Sequence, residues 1–117
     1  MPIAINSTNK EIHDLRMKFG CSQEIMGHII GVTGRTISRW EDEQHEPHDL
    51  ARRQVKELYK VLEKMNGIIK PGTEKEWLNA PNQALENKKP LELIEQGPEG
   101  LREVLRLLDR LEWGIAT

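Results

Sequence analysis

The sequence predicts an all-α protein, and three observations carry that expectation. Apolar residues recur at three- and four-residue steps through most of the 117 residues, the period-two alternation of half-buried strands is nearly absent, and the periodic runs stop at Gly or Pro. With 37% hydrophobic residues the chain buries only a modest core, so one compact domain or two small subdomains sharing a hinge are expected.

Residues 9–19, NKEIHDLRMKF, place Ile12, Leu15, Met17 and Phe19 at mostly helical spacing and stop at Gly20, a residue suited to a left-handed cap. Ser22 is the expected N-cap of QEIMGHII, with Cys21 and Met26 spaced as a hydrophobic staple, and Gly31 ends that second helix. Thr33 then caps GRTISRWEDE, in which Ile37 and Trp40 face inward together while Arg35, Ser38 and Arg39 point elsewhere. From His48 to Met65 a longer helix is expected. Its Ala51, Val55, Leu58, Leu62 and Met65 form a heptad seam of two repeats, suited equally to packing on the first helices, to a connector or to a dimer contact.

Asn66-Gly67 ends this helix and KPG at 70–72 turns the chain, which sets the expected domains at 1–66 and 67–117. Beyond the turn, Thr73 and Glu76 match the T-x-x-E capping box, Trp77 and Leu78 follow, and Pro81 stops the helix early. NQALENKK is a brief connection to a short helix that opens at Pro90, holds Leu91, Leu93 and Ile94, and ends at Gly97-Pro98. In EGLREVLRLLDRLEWG, Leu101, Val104, Leu105, Leu108 and Leu111 trace a core stripe closed by Gly114, while Arg102, Arg106 and Arg110 line another face.

Charge and composition bound the function. A formal net charge of -2 and a pI near 6.1 give no whole-chain basic signature of a nucleic-acid partner. The single Cys21 excludes an internal disulfide and fits a reducing cytoplasm, where this chain is expected. No apolar run is long enough to cross a membrane or resemble a signal peptide. His45 and His48 flank Pro47 without a second pair of donors, so neither a metal nor another cofactor is expected. Cys21 reads as a small buried hydrophobe, and with no Ser/His/Asp arrangement, phosphate loop or metal cluster the chain is not expected to be an enzyme.

Two short helices separated by GVT are the unit in which one helix braces across phosphates and the next lies in a major groove. CSQEIMGHIIGVTGRTISRWEDEQHEP resembles the Xre family of lambda-repressor-like and Cro-like helix-turn-helix domains. The likeness rests on Ser22-Gln23, Gly27 where the helices cross, Gly31-Val32, Thr36-Ile37-Ser38, Trp40-Glu41 and Pro47. The chain departs from that pattern at Glu43, where the family usually has Gly, and at Gly34, a position that often reads a base. The resemblance implies that Gln23 binds a phosphate or buttresses a base-reading side chain, and that Thr33 touches phosphate or a thymine methyl. Arg35 and Arg39 would reach guanine edges or the backbone, with Thr36 and Ser38 completing the DNA-binding set; a solvated helix face is the alternative for Arg35, Ser38 and Arg39. Residues 1–53 carry seven Lys or Arg against eight Asp or Glu, and EDEQHE puts four acids behind the third helix. A lone copy should therefore bind DNA weakly and with steep salt dependence, and a homodimer on an inverted repeat is the expected solution.

Residues 73–117 resemble the C-terminal toxin-binding domain of the Xre, ParS and MbcA antitoxins. Trp77, Leu78, Pro81, Asn82, Leu85, Pro90, Leu91, Gly97, Val104, Leu105, Arg110, Glu112 and Gly114 carry that likeness in order and spacing. Together the two resemblances imply a type II antitoxin that neutralises a RES-domain toxin, which consumes NAD by phosphorolysis or ADP-ribosyl transfer, and that represses its own operon. The toxin-binding residues expected on this basis are Arg102, Arg106, Arg110, Trp113, Gly114, Ile115 and Thr117, with the chain end reaching towards the NAD pocket of the toxin. Trp77, Leu85 and Leu91 read as core. The alternative function is an Xre-family transcriptional regulator without a toxin partner.

Overall fold

A computed structural model of the chain describes residues 3–114, with side chains from Thr8 onward. Among these residues there are seven α-helices and no strands, and the chain divides into two compact units, Met1–Tyr59 and Lys60–Thr117.

In the first unit, α1 (Ile3–Phe19) begins well before the expected residue 9. It opens with the apolar run Ile3-Ala4-Ile5, which six residues without an apolar one separate from the spaced stripe that begins at Ile12, so the stripe alone marks only the later turns. Ile12, Leu15 and Phe19 are fully buried at three- and four-residue steps, but Met17, grouped with them by the apolar pattern, is 56% exposed. Lying two residues from both Leu15 and Phe19, it falls on the opposite side of the helix. After Gly20 (φ +66°) come α2 (Gln23–Ile30) and α3 (Gly34–Glu41). Both have the expected caps: Ser22 Oγ accepts the Ile25 N–H at 3.1 Å and Thr33 Oγ1 accepts that of Thr36 at 3.1 Å. The left-handed Gly31 (φ +98°) closes α2 and lets α3 turn back onto it. This turn depends on Gly27, where a Cβ would stand 2.6 Å from the carbonyl oxygen of Val32. Residues 42 and 43, expected to continue α3, lie beyond its end, and Glu43 takes a left-handed φ of +60° where a side chain is strained and Gly is not.

Three side chains of α1, Asn9, His13 and Arg16, make polar contacts with the end of α3. Asn9, 1% exposed, donates from Nδ2 to the carbonyl oxygens of Trp40 (2.5 Å) and His45 (3.1 Å). Arg16 grips Glu41 with both prongs of its guanidinium, Nε to Oε2 at 2.7 Å and Nη2 to Oε1 at 3.0 Å. The Glu41 side chain is only 8% exposed. Burial opposes its ionisation, but hydrogen bonds from Arg16, His13 and Gln23 and the charge of Arg16 outweigh it, and the carboxyl is held below its ordinary range. The same hydrogen bond raises Arg16.

The next helix, α4 (Asp49–Met65), starts where His48 Nδ1 accepts the Ala51 N–H at 3.2 Å; the His48 ring also stands edge-on to Trp40, 5.5 Å between centroids. Ala51, Val55 and Leu58 are buried in the first unit. In the second unit Val61 and Met65 are buried, while Leu62, expected in the seam, is half-buried. At about 100° per residue Leu62 lies some 60° round the helix from Met65 and 100° from Val61, so it falls at the margin of the arc that these two bury in the second unit.

The rest of the second unit contains α5 (Glu74–Leu78), a 3₁₀ turn at Gln83–Leu85, α6 (Pro90–Gln96) and α7 (Pro98–Glu112). The expected Thr73–Glu76 capping box does not form. Thr73 has ψ 13° rather than the extended value of a side-chain cap, and its hydroxyl donates to the Lys70 carbonyl at 2.6 Å, closing the KPG turn. A reaching-back carboxylate appears instead at α6, where Glu92 Oε1 accepts the Lys89 N–H at 2.9 Å ahead of Pro90. Between them Asn82 organises the connection: its Oδ1 accepts the Ala84 N–H at 3.0 Å and its N–H reaches the Lys88 carbonyl at 3.1 Å. Leu101, Val104, Leu107 and Leu108 are the buried residues of the α7 stripe, so Leu107 replaces the half-buried Leu105 and Leu111 of the expected set. A Cβ at Gly100 would stand 1.8 Å from the carbonyl oxygen of Leu93, which makes this the closest glycine-mediated contact between helices among the described residues.

Two expected outcomes follow from these contacts. Gly100→Ala forces α6 and α7 apart and should destabilise the second unit by at least about 2 kcal/mol, read from its denaturant midpoint. Because Glu41 titrates below its ordinary range when folded, its stabilisation is present above that range and disappears as pH falls through the folded value. The denaturant midpoint of the wild type should therefore drop more between about pH 5 and pH 3 than that of Glu41→Gln.

Candidate functional site

Two surfaces carry the candidate residues, one on each unit. On the first, α2 and α3 pack closely because neither crossing position carries a side chain: besides Gly27, Gly34 lies so near α2 that its Cβ would stand 3.1 Å from Glu24 Cα. The polar face of α3 is left clear. Arg35 and Arg39 are exposed one helical turn apart, and neither guanidinium makes a hydrogen bond or ion pair among the described residues. Thr33 is exposed at the start of α3 with its hydroxyl 3.0 Å from that of Thr36, and Thr36 and Ser38 are half-buried along the same helix. Gln23, the first residue of α2, is half-buried and donates from Nε2 to Glu41 Oε1 at 3.2 Å. The six residues therefore belong to one α2–α3 unit, with two unpaired guanidinium forks able to meet phosphate or guanine acceptors.

The acids behind α3 are solvent-facing. Asp42, Glu43 and Glu46 are exposed, and Glu46 with Asp49 engages Arg52 rather than Arg35 or Arg39. No local signal in the sequence marks the Glu41 node. Trp40-Glu41 stood in the motif, but only folding shows that this acid turns inward to hold Arg16 and Gln23 while its three acidic neighbours stay in water. The same holds for Asn9, since nothing beside it in the chain signals a buried amide.

On the second unit, Arg102, Arg106 and Arg110 are exposed along α7 and none makes an ion pair among the described residues. At 100° per residue they and Trp113 fall within an arc of about 80°. Trp113 is 76% exposed, and Gly114 follows in the left-handed region at φ +74°. The opposite side of α7 is the buried stripe, so the arginine row is the helix's free face. Ile115 and Thr117 lie outside the described residues. Leu85 and Leu91 are buried and Trp77 is half-buried, so the first two belong to the core and the indole stands at its margin.

Among the described residues no group of three or more His, Cys, Asp or Glu is placed to hold a metal ion; His48 is engaged in capping α4. No helix among them is long and apolar enough to cross a membrane.

Comparisons with known proteins bear on both surfaces. Residues 70–114 match the antitoxin Xre/MbcA/ParS C-terminal toxin-binding domain. The chain is 28% identical over 98 residues to the mycobacterial cidal antitoxin MbcA of Mycobacterium tuberculosis, a match that covers 84% of this chain and 85% of that protein, and the Mycobacterium bovis protein matches to the same extent. Its fold is that of a chain in the crystal structure of the M. tuberculosis MbcT–MbcA toxin–antitoxin complex, with a TM-score of 0.66 and 24% identity, covering 93% of this chain and 96% of that one. Residues 70–114, which include the arginine-bearing helix, are thus similar to the Xre/MbcA/ParS toxin-binding domain, and the likeness to MbcA runs across both units.

Proposed function

We propose that this protein is a type II antitoxin that neutralises a cognate RES-domain, NAD-consuming toxin and represses its own operon, in the cytoplasm and as a homodimer on an inverted repeat. The observation that carries the reading is the coincidence of the matched toxin-binding domain with a free α7 face. Residues 67–117 are assigned to the toxin. Arg102, Arg106 and Arg110 supply fixed positive charge, and Trp113 supplies an aromatic anchor of the kind enriched at interface hot spots. Gly114, Ile115 and Thr117 continue from Trp113 towards the NAD pocket, so that inhibition comes from occupancy and not from turnover.

Residues 1–66 are assigned to operator DNA. Arg35 and Arg39 are the base or phosphate readers, Thr33, Thr36 and Ser38 line the same helix, and Gln23 contributes from the start of α2. What supports this is a pair of capped helices packed at glycine distance, with an unpaired cationic ridge on the outer one. Near-balanced charge in this half makes phosphate attraction weak for one copy, and pairing two copies on one duplex offsets that weakness.

Each half has its own test. A chain truncated after Lys70 should fail to rescue growth when co-expressed with the toxin encoded beside it, whereas rescue by the truncated chain would remove the assignment of the second unit. Arg35→Ala combined with Arg39→Ala should weaken specific operator retardation by at least about tenfold while co-purification with the toxin is unchanged.

A further inference from the structure

We infer that Glu41 is a positioning residue for DNA contact by Gln23, an inference that rests on the proposed operator binding. Three donors converge on Glu41 Oε1: Arg16 Nη2 at 3.0 Å, Gln23 Nε2 at 3.2 Å and His13 Nδ1 at 3.2 Å. Arg16 Nε holds the other oxygen at 2.7 Å, so the carboxylate cannot swing. A glutamine on a helix surface ordinarily samples several rotamers and loses that freedom when it grips a ligand. Here one amide hydrogen of Gln23 is already committed to a fixed, nearly buried carboxylate. Its second amide hydrogen and its carbonyl oxygen have no partner among the described residues, and the side chain is only half-buried. Position 34, at the start of α3, is a glycine and so offers Gln23 no side chain to brace; a Cβ there would already stand 3.4 Å from the Gln23 backbone carbonyl carbon. The amide is thus presented to the duplex in one orientation, set by an acid from the end of α3 and an arginine from α1.

A purely structural role for Glu41 predicts something different. Replacing a buried ion pair by apolar side chains of similar volume is often neutral or stabilising, so Arg16→Met with Glu41→Met can keep the fold while removing the acceptor for Gln23. Four full-length proteins are compared by thermal unfolding and by retardation of duplex DNA from immediately upstream of this reading frame: wild type, Gln23→Ala, the Met pair, and the Met pair with Gln23→Ala. Gln23→Ala should weaken retardation by about tenfold in the wild-type background and by less than about twofold in the Met pair. The Met pair itself should melt near the wild type yet bind DNA no better than Gln23→Ala. Wild-type binding by the Met pair, or an equal loss on Gln23→Ala in both backgrounds, overturns the inference. If the Met pair melts early, Glu41→Ala, which also removes the acceptor, takes its place at a temperature well below its own melting: a Gln23→Ala loss of less than about twofold in that background supports positioning, and a full loss of about tenfold overturns it. Absence of any retardation by the wild type would instead overturn the operator-binding reading.

Discussion

Backbone brought against backbone at glycine is the constraint on which both units depend. Helices of seven or eight residues bury too little apolar surface to hold at ordinary packing distance, so α2 meets the turn into α3 at Gly27, and α6 meets α7 at Gly100. At Gly100 even a methyl group would overlap a carbonyl oxygen. Close approach lets Met26, Ile29, Ile37 and Trp40 in one unit, and Leu93, Ile94, Val104 and Leu108 in the other, form cores out of few residues. Both free faces, the α3 ridge and the α7 row, are the outward sides of helices held in this way.

Electrostatics then divides the acids of the first unit by role. Glu41 is drawn inward, where its desolvation is offset by a two-pronged arginine and two further donors. Its neighbours Asp42 and Glu43 remain hydrated, and Glu46 is occupied with Arg52. Arg35 and Arg39 are consequently not neutralised from within. A chain with net charge -2 can still present a local cationic ridge, because a ligand a few ångströms away feels the arrangement of charges more than their sum.

Much of this was legible because its signals are local. Ser22, Thr33, Gly31 and Pro90 act within a turn of where they stand, and each was placed correctly from its neighbours alone. Where a local signal competed with another partner it misled: Thr73 matched a capping box, but its hydroxyl found the Lys70 carbonyl in the preceding turn. An idealised spacing puts Leu62, Leu105 and Leu111 on the inward sides of α4 and α7 and omits Val61 and Leu107, which the fold buries. The true arc depends on what each helix packs against, and one residue of rotation, about 100°, decides between near neighbours.

Order and spacing along the chain by themselves determined the all-α class, the succession of helices, the helix-turn-helix and the family likeness, since caps, breakers and apolar periods act over a few residues. Tertiary structure alone decided that Met17 faces water, that Asn9 and Arg16 clasp the end of α3, and that Glu41 reaches Gln23 across 18 positions of sequence. Those contacts join groups distant in the chain. Their desolvation is tolerable only when all partners arrive together, and no short window of sequence contains that condition.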